Sequence, residues 1–390
     1  MIKAFFYAIV QSLKVLWWTV RYLPSEGIQY VPKRLLILGL GIPLFILLQL
    51  LHWLCFLIDE IVFFKYRIVK VRNPLFIVGV PRSGTTFLQR TMEKESLYTT
   101  TRAWECLFAP SITQRYFIKF IGLLFKPFRR VGTLISVPFL KKMESIHELG
   151  LSEAEEDFLL LFPVFSCFIL IAFFPHADGL WKLAYFDEKM SERHKKIIMN
   201  YYFRCVQKHL YFHKDAERYL SKNPSFSSMV KSLNARFQDA DFVACFRTPL
   251  ATVPSQLSSL RPSMKMVGSD RFSDSFKANI MSMLHHYYSH LLGSLSAVDP
   301  EIPFIEMNEL NENLMEVMER IYKYTDISMS QEVYEELLIS AEKSSKYKSK
   351  HKYNLEEFNL NEGIIQNRFS DIWPISKFMH SKTETSVEGD

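Results

Sequence analysis

The stretch PLFIVGVPRSGTTFLQR, at positions 74–90, constrains the fold of this 390-residue chain more than any other segment. Its four apolar residues, Leu75 to Val78, are typical of a strand that is buried on both faces of a sheet. A glycine-containing turn at 79–84 follows, and a helix-compatible run follows the turn. A strand, a glycine turn and a helix in this order direct backbone N–H groups and the positive end of the helix dipole to one point. The sequence therefore predicts an anion-binding loop.

The cation of this loop differs from the cation of ATP-binding loops. Those loops read G-x-x-x-x-G-K-[ST], whereas here Gly79 and Gly84 keep the spacing and Thr85 and Thr86 follow directly. Arg82 supplies the cation instead, and its planar guanidinium can hold two oxygens at once. Because the lysine is absent, phosphoryl transfer is disfavoured. A P-loop kinase or another nucleotide-binding membrane protein remains the alternative.

Composition limits the other classes of protein. The chain has 47 Lys and Arg against 41 Asp and Glu, a net charge of +6. This mild basicity suits an anionic ligand or a membrane surface, and we expect no nucleic-acid partner. The cysteines are scattered without metal-ligand spacing, which favours a reducing compartment. We interpret the acidic run at 153–157 as a helix N-terminus with Ser152 as cap and Glu155 three residues on, and we expect no metal.

Two apolar segments precede the loop. Residues 35–58 carry no charged side chain, and a helix of that length can cross the hydrocarbon core of a bilayer. Residues 4–20 end near Trp17 and Trp18 and could form a short first span or lie in the interface. Basic residues flank the long run on both sides, which fits a hairpin with both flanks in the cytoplasm. We expect a membrane-associated protein with a cytoplasmic catalytic domain.

The remainder of the chain has the pattern of an α/β fold. Short apolar segments predict buried strands at 75–79, at 241–247 and near 305. Residues 191–214 have the period of a helix. The apolar stretch 158–175 is either a second membrane segment or a buried strand or re-entrant piece.

These patterns predict a P-loop-type parallel sheet flanked by helices, with an N-terminal hydrophobic, membrane-associated helical segment. The expected divisions are a membrane-anchoring region at 1–60, a catalytic domain at 73–375 and a polar tail at 376–390.

The loop and a second motif together resemble a known family. VGVPRSGTT is similar to the 5′-phosphosulfate loop of sulfotransferases that use 3′-phosphoadenosine-5′-phosphosulfate (PAPS). CFRTPLATVPS supplies the second half of that family's signature, an arginine at a strand end and a serine eight positions later, here Arg247 and Ser255. In the family these residues bind the 3′-phosphate of the nucleotide. Many members have Asp-Pro or Asp-Gly after the arginine, where this chain has Thr248-Pro249.

The resemblance, which covers roughly residues 73–370, implies PAPS as the sulfonate donor. The implied donor-binding residues are Pro81, Arg82, Ser83, Gly84, Thr85, Thr86, Arg247 and Ser255. The segment YLSKNPSF resembles the family's Lys-x-Pro segment, and Lys222 takes the lysine position. In the related tyrosylprotein sulfotransferases that lysine lies at the transferring sulfonate. Arg82 and Lys222 are therefore expected to offset charge on the leaving phosphate.

Two residues are candidates for the base that takes the proton of the acceptor. Glu105 lies in TTTRAWECLFAP, where such enzymes place a catalytic glutamate, and it is our first choice. His147 lies in IHELGLSEAEED, which resembles a histidine-plus-acidic segment of the bacterial-type branch. An imidazole titrates near neutrality, which suits a base. A helix-capping glutamate and a structural histidine are the alternative interpretations.

The sequence thus predicts a membrane-associated, PAPS-dependent sulfotransferase acting on a hydroxyl or amine. The apolar segments suggest a lipid or glycolipid acceptor. A degenerate, non-catalytic scaffold is a third interpretation, which the intact Arg82, Lys222, Arg247 and Ser255 disfavour.

Overall fold

The computed structural model describes residues 1–22, 31–125, 152–269, 272–344 and 355–374. Its centre is a five-stranded sheet in the order β2-β3-β1-β4-β5, with every pair parallel. The strands are β1 (Leu75–Gly79), β2 (Tyr98–Thr99), β3 (Arg218–Lys222), β4 (Asp241–Phe246) and β5 (Phe304–Glu306). The three predicted strands are confirmed as β1, β4 and β5.

Helices cover both faces of the sheet. The N-terminal helices are α1 (Ile2–Arg21) and α2 (Val31–Val62). Those that follow are α3 (Thr85–Met92), α4 (Ala103–Phe108), α5 (Ile112–Phe125), α6 (Asp178–Trp181), α7 (Phe186–Lys189), α8 (Glu192–Phe212), α9 (Val230–Arg236), α10 (Pro249–Met266), α11 (Asp274–Val298), α12 (Met307–Glu312), α13 (Leu314–Tyr324), α14 (Gln331–Ser344) and α15 (Glu362–Phe369). Helix α8 confirms the helical period read from 191–214.

The side chains of β1 alternate between two cores. Phe76 and Val78 pack into the larger apolar cluster, whereas Leu75 and Ile77 pack into the cluster on the opposite face. All five residues of the strand are buried. This is the arrangement that a continuous apolar run in a parallel sheet requires.

The direction in which the sheet is built changes between β1 and β4. After β1 the chain continues to β2 and β3 on one side, and after β4 it continues to β5 on the other side. Ligands of open α/β sheets bind outside the carboxyl ends of the strands at such a point. Gly79 makes the close approach possible: its φ is +151°, and a Cβ there would lie 2.4 Å from the carbonyl oxygen of Cys245 in β4.

Helix α2 packs against the α/β part of the chain that follows it. The indole N–H of Trp53 donates to the carbonyl of Pro163 at 2.9 Å, and the Asp59 carboxylate accepts from the backbone N–H of Ile112 at 2.9 Å. The mean hydropathy of its most apolar window is 2.3, and 22% of that window is buried. Among the described residues α2 is the one helix long and apolar enough to cross a membrane.

The stretch 158–175 is neither a membrane span nor a strand, so both of those expectations were wrong. It contains two short 3-10 helices, Asp157–Val164 and Phe168–Ala172, most of whose side chains are buried. The rings of Phe162 and Phe165 meet the ring of Phe45 in α2 at 5.3 and 5.6 Å. The apolar run therefore packs between the N-terminal helices and the α/β part of the chain.

Candidate active site

Segments that follow four parallel strands line one cavity of about 620 Å³. Residues of the 81–86 loop follow β1, Pro224 and Ser225 follow β3, Arg247 follows β4, and the start of α12 follows β5. The cavity thus lies at the carboxyl edge of the sheet, where the change of strand direction predicts a ligand.

The loop after β1 is held in shape by its own hydrogen bonds. The buried Ser83 hydroxyl donates to the carbonyl of Val80 at 2.6 Å. The Ser227 hydroxyl accepts from the backbone N–H of Gly79 at 3.1 Å and donates to its carbonyl at 2.8 Å. Gly84 then turns the chain into α3 with a φ of +93°. The first N–H groups of a helix have no partner within the helix, so the start of α3 offers donors to an anion.

The two predicted arginines meet at this loop. The Nε atom of Arg82 donates to the Ser255 hydroxyl at 3.3 Å, and Arg247 Nη1 donates to the carbonyl of Arg82 at 3.2 Å. Arg82 has a φ of +68°, in the left-handed region that costs a non-glycine residue about 1–3 kcal/mol. The Tyr288 hydroxyl donates to the carbonyl of Arg247 from the opposite side. The loop therefore accepts backbone strain and gathers two guanidinium groups beside its N–H donors.

An ion pair stands next to the arginines. The Nζ atom of Lys222, at the end of β3, lies 2.9 Å from Oε1 of Glu156. The Lys222 side chain is 4% exposed, whereas Glu156 is 26% exposed and lines the cavity. The expected helix cap at Ser152 was wrong, because the helical turn begins at Asp157 with Glu156 as its N-cap and without a side-chain cap. Sequence reasoning missed Glu156, although the acidic run before an apolar stretch contains it.

One wall of the cavity is apolar and another part of its lining is polar. The apolar wall comes from the two 3-10 helices and consists of Phe158, Phe168, Ile169 and Ile171. Helices α10 and α12 supply polar side chains, among them Gln256, Ser259, Asn308 and Asn311. Pockets with an apolar lining and a few placed polar groups hold amphipathic organic ligands.

The structure does not bring Glu105 to this cavity. Its side chain is completely buried, and its carboxylate lies 2.7 Å from His213 Nε2 and 3.6 Å from Arg115 Nη1. It also accepts from the backbone N–H of Arg102 at 2.9 Å, which caps α4. Burial acts to raise the pKa of Glu105, but Arg115, His209 and His213 outweigh it and hold the pKa well below its usual range. Such a carboxylate is a weak proton acceptor.

His147 falls outside the described residues, and its role as a base stays a prediction. Six of the other predicted residues line the cavity: Pro81, Arg82, Gly84, Thr85, Thr86 and Arg247. Ser83 bonds within the loop, Ser255 accepts from Arg82, and Lys222 pairs with the cavity-lining Glu156. Their roles in donor binding and catalysis stay predictions.

Among the described residues, two groups of histidine and carboxylate side chains lie close enough together to hold a metal ion, and neither group lines the cavity. In the first group Glu105 lies with His209 and His213. Both ring nitrogens of His209 are engaged, by Arg115 at 3.0 Å and by Thr99 at 2.9 Å. In the second group, Glu188 with His286 and His290, the Nε2 atom of His290 is 3.0 Å from the carboxylate of Asp187.

The parallel sheet, the phosphate-type loop and the paired arginines define an α/β transferase with an anion-binding centre. The chain belongs to the sulfotransferase family, whose model matches residues 74–331.

Relatives in mycobacteria support this membership. Two curated relatives, from Mycobacterium bovis and Mycobacterium tuberculosis, are omega-hydroxy-beta-dihydromenaquinone-9 sulfotransferases named Stf3. Each is 28% identical over 189 residues, which are 47% of this chain and 44% of the relative. The chain thus matches less than half the length of these relatives.

Solved structures share the fold. Sulfotransferase STF1 from Mycobacterium tuberculosis superposes with a TM-score of 0.66 at 17% identity, covering 93% of this chain and 92% of that one. Sulfotransferase STF9 from Mycobacterium avium gives 0.61 at 20% identity, covering 79% and 77%. The resemblance of the Lys222 segment to tyrosylprotein sulfotransferases stays a prediction.

Proposed function

We propose that this enzyme transfers the sulfonate group of PAPS to a hydroxyl group of an apolar, membrane-derived acceptor. The observation that carries the proposal is one cavity whose lining combines Arg82, Arg247 and Glu156, the partner of Lys222, with the apolar side chains of 158–171. The cationic part of this lining suits the anionic donor, and the apolar part suits an apolar acceptor.

The donor half of the cavity fits a nucleotide with two separate anionic groups. The N–H groups at the start of α3 and the guanidinium of Arg82 suit the 5′-phosphosulfate, because both belong to the loop that lines the cavity. Arg247 and Ser255 suit the 3′-phosphate, since a dianion needs a cation and a hydroxyl donor. These side chains stabilise the charge that grows on the leaving phosphate without a metal ion, and we expect transfer to continue in the presence of a chelator.

Glu156 is the base in this proposal, in place of Glu105. Its carboxylate lines the cavity, whereas Glu105 is enclosed by Arg115 and two histidines. The acceptor O–H gives its proton to Glu156 as the oxygen bonds to sulfur and the bond from sulfur to the 5′-phosphate oxygen breaks. Lys222 holds the carboxylate in place at 2.9 Å and lies where it can offset charge at the sulfonate.

The acceptor is the least constrained part of the proposal. The wall of Phe158, Phe168, Ile169 and Ile171 requires an apolar body next to the reacting hydroxyl. The Stf3 relatives are named for a hydroxylated menaquinone derivative, an acceptor of this chemical kind. The exposed leucines of α2 suit association with a membrane, and the five free cysteines suit a reducing, cytoplasmic setting.

Calorimetric titration tests the donor assignment. We expect 3′-phosphoadenosine-5′-phosphate to bind and to raise the melting temperature, as a ligand that prefers the folded state must. Adenosine 5′-phosphosulfate, which lacks the 3′-phosphate, should bind more weakly because Arg247 and Ser255 lose their partner. Equal affinity for the two nucleotides would contradict the assignment.

A further inference from the structure

Helices α1, α2 and α5 lie side by side and leave a broad apolar face uncovered. The ring of Phe5 in α1 meets Trp53 in α2 at 5.3 Å, and His52 in α2 bonds to the Gln114 amide in α5 at 2.8 Å. We call the exposed apolar side chains of these helices the apolar face. Its most exposed members are Ile2, Phe6, Leu13, Trp17, Val20, Leu36, Leu40, Leu44, Leu47, Leu57, Ile61, Val62, Phe117, Phe120 and Leu123.

Helix α2 contacts the α/β part of the chain along nearly its whole length. Near the start of the helix, Arg34 Nη2 donates to the carbonyl of Phe173 at 2.6 Å. Near its end, Asp59 pairs with Lys208 of α8 at 3.0 Å, and both side chains are fully buried. These contacts are 25 residues apart, which is about 38 Å of helix. The hydrocarbon core of a bilayer is about 30 Å thick, so a crossing α2 would draw the flanking domain into the hydrocarbon.

Within the apolar run of α2 and just after it, the polar side chains turn inwards. Gln49, His52 and Asp59 are buried against the protein, whereas the opposite side of the helix is leucine-rich. No exposed side chain between 35 and 58 carries a charge. A helix with one polar, protein-facing side and one leucine side is suited to lie flat at the boundary of a membrane.

A basic groove borders the apolar face. It has a volume of about 1450 Å³ and opens between α1, the end of α2 and α8. Phe6, Val10 and Leu57 belong to both the groove and the apolar face. The basic side chains that line the groove are Lys3, Lys14, Arg67, Arg193, Lys196 and Arg204. Glu60, the acidic side chain of its described lining, is engaged by Tyr66 and Arg67.

The chemistry of the face distinguishes a bilayer from a second copy of the chain. The cores of protein–protein interfaces are enriched in aromatic residues, methionine and arginine. The longest helix of the face, α2, exposes mainly leucine and isoleucine, and the aromatic members of the face come from α1 and α5. Leucine together with Phe and Trp is the composition of helices that lie in a membrane interface. Anionic lipid headgroups attract clusters of lysine and arginine beside an apolar surface. Both features favour lipid as the occupant.

We propose that α1, α2 and α5 form an in-plane membrane-docking face that a bilayer covers, that α2 does not cross the bilayer, and that the basic groove contacts anionic headgroups. The protein is then monotopic: both ends of α2 lie on one side of the membrane.

This orientation has a consequence for the acceptor, which rests on the proposed function. The segment 157–172 separates the docking face from the cavity. Phe162 and Phe165 touch α2, whereas Phe158 and Phe168 line the cavity. An apolar acceptor drawn from the membrane therefore meets apolar side chains on both sides of this segment on its way to the sulfonate.

Cysteine labelling tests the orientation without any dependence on sulfonate transfer. Val31→Cys and Lys65→Cys place exposed thiols at the two ends of α2, while the native cysteines are buried and give low background. Each variant is treated with a membrane-impermeant maleimide in sealed vesicles of both orientations. We expect both positions to be labelled in the same orientation and neither in the other. Labelling from opposite sides, or no labelling in either orientation, overturns the proposal.

Vesicle flotation of the full chain tests the occupant. Leu44→Glu/Leu47→Glu/Leu51→Glu places charges on the apolar face, and the bound fraction should fall more than tenfold on phosphatidylcholine vesicles. The matched control, Leu338→Glu/Ile339→Glu/Ile364→Glu, changes exposed apolar residues elsewhere and should bind as the unmodified protein does. Melting curves confirm that both variants fold. A triple variant that floats normally, or that only turns a dimer into a monomer, overturns the proposal.

The groove gives a second arm to the flotation experiment. Vesicles with phosphatidylglycerol should bind the unmodified protein more tightly than vesicles of phosphatidylcholine alone. Removing one positive charge, by Arg193→Gln or Lys196→Gln, should lower affinity for the anionic vesicles about fivefold. Affinity for the neutral vesicles should stay unchanged. An equal loss on both kinds of vesicle contradicts a headgroup contact.

Discussion

Replacing Glu156 by glutamine separates the role of this residue from that of Glu105. Glutamine keeps the shape of the side chain and an oxygen that can accept from Lys222, but it cannot take a proton. Because Glu156 is 26% exposed, we expect a stability loss of about 1 kcal/mol. Loss of a positioned base lowers turnover by about 10²–10⁴, or about 3–5 kcal/mol of barrier. Donor affinity should change little, since a carboxylate does not hold a sulfonate.

Glu105→Gln is the matched comparison, and the opposite pattern is expected. Its carboxylate is completely buried and pairs with Arg115 and His213 at 3.6 and 2.7 Å. Breaking a buried ion pair costs about 3–5 kcal/mol, so the melting temperature should fall clearly. Below that temperature the turnover should stay within a few-fold of normal, because Glu105 does not line the cavity.

The assay follows labelled PAPS with a membrane lipid extract as acceptor, beside calorimetric titration with 3′-phosphoadenosine-5′-phosphate and thermal denaturation. If Glu156→Gln turns over normally while Glu105→Gln loses turnover with its fold and donor binding intact, the choice of base made here is refuted.

Three further perturbations follow from the geometry. Arg247→Ala should weaken binding of 3′-phosphoadenosine-5′-phosphate by about 2–3 kcal/mol. Arg261→Ala, which removes an ion pair with Glu357 from α10, the helix that follows Arg247, should leave binding unchanged. An equal loss of affinity in the two variants, measured by calorimetry, would show that the assignment is wrong. Burial raises the pKa of Asp157 from 3.8 to about 6. Between these two pH values the folded protein holds a proton that the unfolded chain releases. The free energy of unfolding should therefore fall by about 3 kcal/mol as pH rises from about 4 to about 6. Asp157→Asn should flatten this pH dependence of the free energy of unfolding, measured by denaturant titrations. An unchanged pH dependence would contradict the role given to Asp157. Gly79→Ala should destabilise by about 2–4 kcal/mol through its clash with Cys245, and a melting temperature equal to that of the unmodified chain would disprove the clash.

The meeting of the two arginine motifs could be predicted from sequence because these residues follow strands directly. Arg82 comes just after β1 and Arg247 just after β4. The carboxyl ends of adjacent parallel strands meet at one edge, so two motifs far apart in sequence are brought together by pairing alone. Gly79 and Gly84 were predicted for the same local reason, since the turn needs backbone conformations that glycine adopts freely.

The proposed base, Glu156, was not indicated by the sequence. Glu105 has a position in the chain that suits catalysis, but its side chain turns inwards to cap α4 and to meet Arg115. The pairing of Glu156 with Lys222 joins an irregular segment to a strand 66 residues further on. The hydrophobic periodicity of the sequence cannot predict such a contact, because the contact depends on how the 3-10 helices pack beside β3.

Hydropathy likewise indicated the length of α2 and not its orientation. An apolar run of 35–58 satisfies the length of a span, yet the buried Gln49 and His52 show that one side of the helix faces protein. These two polar residues inside the run were the available signal. Asp59 lies just after the run and its partner Lys208 lies in α8, so their pairing is visible only in the structure.

The most direct test of the central claim is transfer of a radiolabelled sulfonate from PAPS to membrane lipid. The full chain is incubated with the labelled donor and a lipid extract, and the label in the organic phase is compared with the 3′-phosphoadenosine-5′-phosphate released. The account predicts a labelled lipid sulfate ester and nucleotide product in equal amounts, with both signals lost in Arg82→Ala and retained in Arg261→Ala. Label that enters the lipid from ATP carrying a labelled γ-phosphate, and not from PAPS, would contradict the account.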